Sequence, residues 1–270
     1  MINFDKKNSY VIFTDLDGTL LDENYSYKEA LPVLKILRKR KVPIIFCSAK
    51  TKAEQEVIRK KMKLDHPFIV ENGSAIYIPK GYFGKKVGEV RDKYEVILLG
   101  TKIENIRKEI ERLKKNYKVK GYGDMTDKEV AEVSGLDLKS ARLAKKREFG
   151  ETLIEVEEEV LKELKKKFNV VKGGKFIQVF GKGADKGKAV KILSDMYREF
   201  GNITTIGIGN AQNDEKMLEV VDIAAIVKNS DGSWANLKID KIYKAARIGP
   251  AGWVEIIKKF VLDYEEEKRI

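Results

Sequence analysis

The stretch SYVIFTD at 9–15, followed at once by LDGT, limits what this chain can fold into more than any other segment. A short apolar run ending in acidic residues and a glycine is the pattern of a strand buried in a parallel sheet that leaves through a tight turn. Strand periodicity puts Asp15 and Asp17 on one side, at the carboxyl end of the strand, where open α/β sheets place their ligands. Two carboxylates that close repel unless a cation sits between them, so the spacing itself asks for Mg²⁺. Gly18 permits the turn that follows.

The flanking sequence repeats the strand in alternation with helices. A helical pattern opens at Ser26 and runs to about Arg40, with Pro32 near its start. A second strand follows at 43–48 (PIIFCS), a helix at 51–62 and a third strand at 67–70 (PFIV), a doubly wound layout. Beyond Glu71-Asn72-Gly73 and a hairpin-like SAIYIPKGYFG the rhythm changes. EVILLG at 95–100 leads into a Lys/Glu-rich helix near 102–116, two shorter helices after Thr126 and Asp137, ETLIEV at 151–156, a helix near 157–168 and the strand FIQVF at 176–180. We read 86–180 as an inserted α+β domain within a core made of 1–85 and 181–270. From Lys186 the alternation returns, with a helix to about Phe200, the strand ITTIGIG, a helix after Asn213, the strand DIAAIV and a C-terminal helix over 251–267.

Composition narrows the chemistry. Cys47 is the only cysteine and His66 the only histidine, which excludes disulfides, Cys/His zinc clusters and catalysis by a histidine pair. Carboxylates, lysines, hydroxyls and a metal remain. The net charge of +12 comes from 54 basic and 42 acidic residues that are interleaved, so it reads as solvated surface that attracts an anionic substrate, and not as a nucleic-acid site. The 36% of charged residues fits the ion-pair networks of a heat-adapted protein. No apolar run approaches a membrane span and MINFDKKNSY lacks a signal-peptide layout, so a soluble, cytoplasmic protein is expected. Cys47, Trp234 and Trp253 read as packing residues and His66 as a loop residue. GIGN lacks the third glycine of a dinucleotide fingerprint.

Asp15-Leu16-Asp17-Gly18-Thr19 resembles the first motif of the haloacid dehalogenase phosphatases. The resemblance implies a Rossmann-like core in which Asp15 attacks phosphorus, while Asp17 protonates the leaving alkoxide and then activates water. Ser48, in CSAKT, resembles the second motif, whose hydroxyl holds phosphoryl oxygens, though a hydroxyl there also suits a helix cap. Lys186, in GKGADKGKAV, resembles the third-motif lysine that neutralises charge on the nucleophile. GIGNAQNDEKM at 207–217 resembles the fourth motif, with Asn213 and Asp214 matching and Asn210 where the family usually has Asp. The implied Mg²⁺ ligands are Asp15, Asp17, Asn210 and Asp214. In position and type the insert resembles the family's C2 cap, a lid that selects small phosphorylated metabolites.

Longer stretches carry a closer resemblance. SAKTKAEQE at 48–56, FIVENGSAIYIPKGY at 68–82, GYGDMT at 121–126, AKKREFGETL at 144–153 and GGKFIQVFGKGADKGKAV at 173–190 are similar to the mannosyl-3-phosphoglycerate phosphatases. That resemblance implies a sugar-glycerate phosphate as substrate, met by Lys50, Asn72, Arg147 and Glu148. An arginine suits the glycerate carboxylate, and Glu or Asn suits sugar hydroxyls. A cap ion pair or a turn remains open for these residues. Also open are glucosyl-3-phosphoglycerate or broad sugar phosphatase activity, a phosphosugar mutase, a catalytically weak phosphate-binding regulator, and monomer or homodimer.

Overall fold

The computed structural model describes residues 9–173 and 176–262. Its centre is a five-stranded sheet in the order Tyr243–Ile248, Ile223–Lys228, Ile203–Gly209, Ser9–Thr14, Ile44–Phe46, parallel throughout. The run at 9–14 is apolar on both sides because helices cover both faces. Val11 and Phe13 pack with Val190, Leu193 and Tyr197 from the Lys186–Arg198 helix. Ile12, facing the other way, meets Leu34 and Leu37 of the Leu31–Lys39 helix and Trp253, Ile256 and Ile257 of the Gly249–Phe260 helix. This is the doubly wound α/β core expected from the alternation.

Helix starts follow local chemistry. Thr51 and Glu54 form a reciprocal capping box at Lys52–Met62, and Asp185 accepts from the Lys188 N–H at the head of Lys186–Arg198. Each cap contributes about 1 kcal/mol. Pro32 falls in the first turn of Leu31–Lys39, where its missing N–H costs nothing.

A second, antiparallel sheet has the order Phe68–Val70, Ala75–Pro79, Tyr94–Leu98, Glu89–Arg91. The segment expected as a third core strand therefore takes its ladder from Ala75–Pro79, and its backbone is bridged to the parallel sheet at Cys47 and Ile69. EVILLG belongs to this sheet as well. Ala75 pairs with Leu98 and Ile76 with Ile97, and Tyr77, Tyr94 and Val96 join the core cluster around Phe68. The boundary expected at 85/86 thus falls inside one sheet.

The inserted region holds a third sheet, ordered Val119–Gly121, Gly150–Val156, Phe176–Gly181, Phe168–Gly173. Leu153 and Val179 on one face pack against Ile106, Ile110, Leu113, Val160 and Leu164 of the Ile103–Leu113 and Glu158–Lys167 helices. Strands at 89–91, 119–121, 168–173 and 243–248 were not expected. FNVVKG follows Lys167 with no turn residue between helix and strand, which hides it. The C-terminal helix spans Gly249–Phe260, and residues 263–267 of the expected helix lie outside the described residues. Among the described residues no helix is long and apolar enough to cross a membrane.

Candidate active site

The Ser9–Thr14 strand delivers Asp15 to the carboxyl edge of the parallel sheet, where its N–H donates to Ile208 O at 2.9 Å. Gly18, at φ +72°, turns the chain there, and a Cβ on it would lie 2.6 Å from Asn210 Nδ2, so the position requires glycine. The turn leaves the Asp17 side chain half exposed and 3.1 Å from Lys50 Nζ. Lys186, in the first turn of its helix, lies 2.7 Å from Asp15 Oδ1 and 2.7 Å from Asp214 Oδ1. All three members of that triad are buried.

Burial pushes the Asp15 carboxyl up to about 7, opposed by Lys186 and reinforced by Asp214. Burial alone would lower Lys186, but the two carboxylates outweigh it and hold the ammonium above the ordinary lysine value. The same balance, with Asp17 and Glu54 as partners, raises the buried Lys50. Lys50 also lies 4.7 Å over the ring of Tyr25. Ser48 Oγ accepts from the Lys50 N–H at 3.3 Å, an arrangement in which the loop after Ile44–Phe46 folds around its own hydroxyl.

The Asn210 amide is held on both sides: its Oδ1 accepts from Thr19 Oγ1 at 2.9 Å and its Nδ2 donates to Asn229 Oδ1 at 2.8 Å. Asp214, expected beside Asp15 at a metal, is placed otherwise. One oxygen takes Lys186 and the other accepts the Asn210 and Ala211 N–H groups at 3.0 and 3.1 Å, so its lone pairs serve Lys186 and the loop. Among the described residues no group of three or more His, Cys, Asp or Glu is arranged to hold a metal ion. Asp15, Asp17, Asn210 and Asn213 nevertheless line one cavity, and two carboxylates with neutral amide oxygens are the hard donor set that suits Mg²⁺ completed by water and phosphate. The residues that line the cavity fit the ion.

That cavity, of 470 Å³, opens between the sheet edge and the inserted region. Ser48, Lys50 and Asn72 border it from the core and Tyr122, Leu136, Arg147, Thr152, Phe176 and Gln178 from the insert. Asn72, at φ 59°, is buried with no hydrogen-bond partner for its Oδ1. Arg147 reaches the cavity, but its Nε donates to Gly150 O and its Nη2 to Ala49 O, both at 3.2 Å. Glu148 departs from expectation: it is not part of the cavity wall, and its Oε2 accepts from Tyr77 OH at 3.0 Å.

Residues the sequence reading missed complete the wall. Tyr25 and Glu54 flank Lys50, Asn229 backs Asn210, and Thr152 with Gln178 faces the floor from the insert. Glu71, fully buried, accepts the Glu148 and Phe149 N–H groups at 2.9 and 3.1 Å and lies 3.7 Å from Arg147 Nε. Burial raises its pKa against the pull of Arg147 and those two donors. The period-two polar interruptions at Thr152 and Gln178 were the available signal; Glu71 had none.

The sequence profile of the haloacid dehalogenase-like hydrolases matches residues 12–237. A Persephonella marina protein named glucosyl-3-phosphoglycerate/mannosyl-3-phosphoglycerate phosphatase is 40% identical over 264 residues, covering 94% of this chain and 98% of its own length. A mannosyl-3-phosphoglycerate phosphatase of Pyrococcus horikoshii is 44% identical over 226 residues, covering 80% and 90%. Among solved structures, a Thermoplasma acidophilum protein superposes with a TM-score of 0.68 at 16% identity, over 94% of this chain and 98% of that one. A Thermotoga maritima protein gives 0.65 at 22% identity with the same coverage. These two likenesses bear on the fold.

Proposed function

The chain belongs to the haloacid dehalogenase-like hydrolases and is a phosphatase, and we propose that it removes phosphate from mannosyl-3-phosphoglycerate to give mannosylglycerate through an aspartyl-phosphate. The observation that carries the mechanism is the buried Asp15 at a strand end, 2.7 Å from Lys186 and beside Asp17 in one cavity. The identity to relatives named for this substrate supports the choice of alcohol.

In this reading the Asp15 oxygen not held by Lys186 attacks phosphorus, and the departing alkoxide takes a proton from Asp17. Asp17 then accepts a proton from the water that attacks the acyl-phosphate, which returns Asp15 and releases inorganic phosphate. Ser48 Oγ and the N–H groups of its loop hold phosphoryl oxygens, and Lys186 offsets the charge on Asp15. Asp15, Asp17 and the Asn210 amide oxygen are the residues that would hold Mg²⁺, which would supply charge neutralisation for the reaction of two anions. Lys50 keeps Asp17 oriented, and Asn72 borders the space the alcohol fills.

The test is phosphate release from mannosyl-3-phosphoglycerate, glucosyl-3-phosphoglycerate and simple hexose phosphates. The mannosyl compound is expected to give the highest kcat/KM. Equal rates with hexose phosphates would replace the reading with a broad sugar phosphatase, and phosphate returned to the product sugar would make it a mutase. The relatives named for both hexoses favour glucosyl-3-phosphoglycerate as a second substrate.

A further inference from the structure

We propose that Gln178, oriented by Thr152, is a specificity-determining residue: its side-chain amide donates to an oxygen of the alcohol that the phosphate leaves behind. The inference rests on the phosphatase reading of the cavity but not on which hexose the alcohol carries. Thr152 and Gln178 are register partners on the Gly150–Val156 and Phe176–Gly181 strands, and Gln178 is in turn opposite Val171 on Phe168–Gly173. One row thus crosses three strands, and all three side chains line the 470 Å³ cavity, with Phe176 on the same face two residues earlier.

The other face of these strands is apolar where Leu153 and Val179 pack on helices. A polar pair inside a sheet is costly unless each group finds a partner. Thr152, 1% exposed, meets this by donating its hydroxyl to Gln178 Oε1 at 3.2 Å. With Oε1 toward Thr152, the NH₂ end of the Gln178 amide points away from it. A mutually satisfying pair would use both ends; this one uses only the oxygen.

The wall therefore presents a donor-bearing amide, a match for an alcohol rich in hydroxyls. Tyr122 and Phe176, edge to face at 5.8 Å, border the same space and give a sugar ring an apolar surface.

The experiment compares Gln178→Ala, Thr152→Val and Thr152→Ser with the unmodified chain. Substrates are p-nitrophenyl phosphate and whichever compound of the glycosyl-phosphoglycerate and hexose phosphate panel the unmodified chain turns over fastest. Gln178→Ala is expected to raise KM for the sugar substrate about tenfold, the scale of one lost hydrogen bond, with kcat and the p-nitrophenyl phosphate kinetics nearly unchanged. Thr152→Val should shift KM the same way by a smaller factor, and Thr152→Ser, which keeps the hydroxyl, should restore it. Equal losses on both substrates, or no loss on the sugar substrate, overturn the inference. Failure of the unmodified chain to hydrolyse any glycosyl-phosphoglycerate overturns the substrate reading instead, since Gln178 is still judged on the sugar phosphate that is hydrolysed.

Discussion

Lys186 Nζ donates to Asp15 Oδ1 at 2.7 Å with both side chains almost wholly out of solvent. The nearest charge to the proposed nucleophile is thus supplied by the chain itself, and Asp15→Asn removes both the attacking oxyanion and a cation ligand while leaving an amide oxygen for the lysine. Turnover is expected to fall by several decades with the thermal transition preserved. Near-normal phosphate release from a folded Asp15→Asn protein would end the mechanism.

Asp17 differs in being half exposed and tied to Lys50 at 3.1 Å. Its proton is needed most when the leaving group is a poor one. Asp17→Asn is therefore expected to lose about 10²–10⁴-fold on a sugar phosphate and much less on p-nitrophenyl phosphate. Identical losses on the alkyl and the aryl ester would remove Asp17 from the proton transfers.

Glu71 braces a segment of the inserted region against the core, because its carboxylate accepts two backbone N–H groups 77 and 78 residues away. Glu71→Ala leaves both unpaired in a buried place, at roughly 1–3 kcal/mol each. A fall in the urea midpoint of that order is expected, with Glu71→Gln intermediate. Arg147 is engaged in the same brace through Ala49 and Gly150, so Arg147→Ala should lower kcat/KM for p-nitrophenyl phosphate and the glycosyl substrate alike. A loss confined to the glycosyl substrate would instead give Arg147 a substrate carboxylate to hold.

These contrasts mark what the chain disclosed before folding. Asp15, Asp17, Ser48 and Lys186 sit where a strand ends or a helix begins, and such places keep their spatial meaning in one dimension. PFIV at 67–70 was a buried apolar run, and four apolar residues do not say whether the neighbour is parallel. Glu71 and Asn72, both at positive φ, turn the chain back so that Ala75–Pro79 becomes the partner. Thr152 and Gln178 were legible as polar interruptions in strands, but their pairing depends on a register set by tertiary contacts. Asp214 matched its motif and still faced Lys186 and the backbone, since a spacing does not fix which of two nearby charges a carboxylate takes.

His66 offers a pH test far from the chemistry. Its Nδ1 lies 2.9 Å from Tyr82 OH, which meets Tyr197 OH at 2.8 Å, and burial depresses its pKa to about 4, with Arg59 adding to the shift and Asp65 opposing it. The unfolded chain binds the proton more readily, so the stabilisation is complete above about 6.5 and is lost as pH falls through about 4. His66→Asn is expected to flatten the decline in melting temperature across that window. An unchanged slope would mean that His66 titrates alike in both states.

The fourth-motif asparagine gives the sharpest test of the proposed metal. Asn210 Oδ1 accepts from Thr19 and Nδ2 donates to Asn229, so the amide is pinned in the cavity with no charge of its own. Asn210→Asp keeps the oxygen that Thr19 reaches and adds a carboxylate beside Asp15 and Asp17, but it loses the donor to Asn229. With Mg²⁺ present the added charge should lower the concentration for half-activation, and with EDTA the like charges should lower the melting temperature. Asp214→Asn is expected to act through Lys186, reducing turnover while leaving the half-activation point in place, because both Asp214 oxygens are already bonded. A titration of the unmodified chain and both variants decides the point. If Asn210→Asp leaves half-activation unchanged while Asp214→Asn raises it sharply, then Asp214 reaches the cation and the two-carboxylate site is wrong.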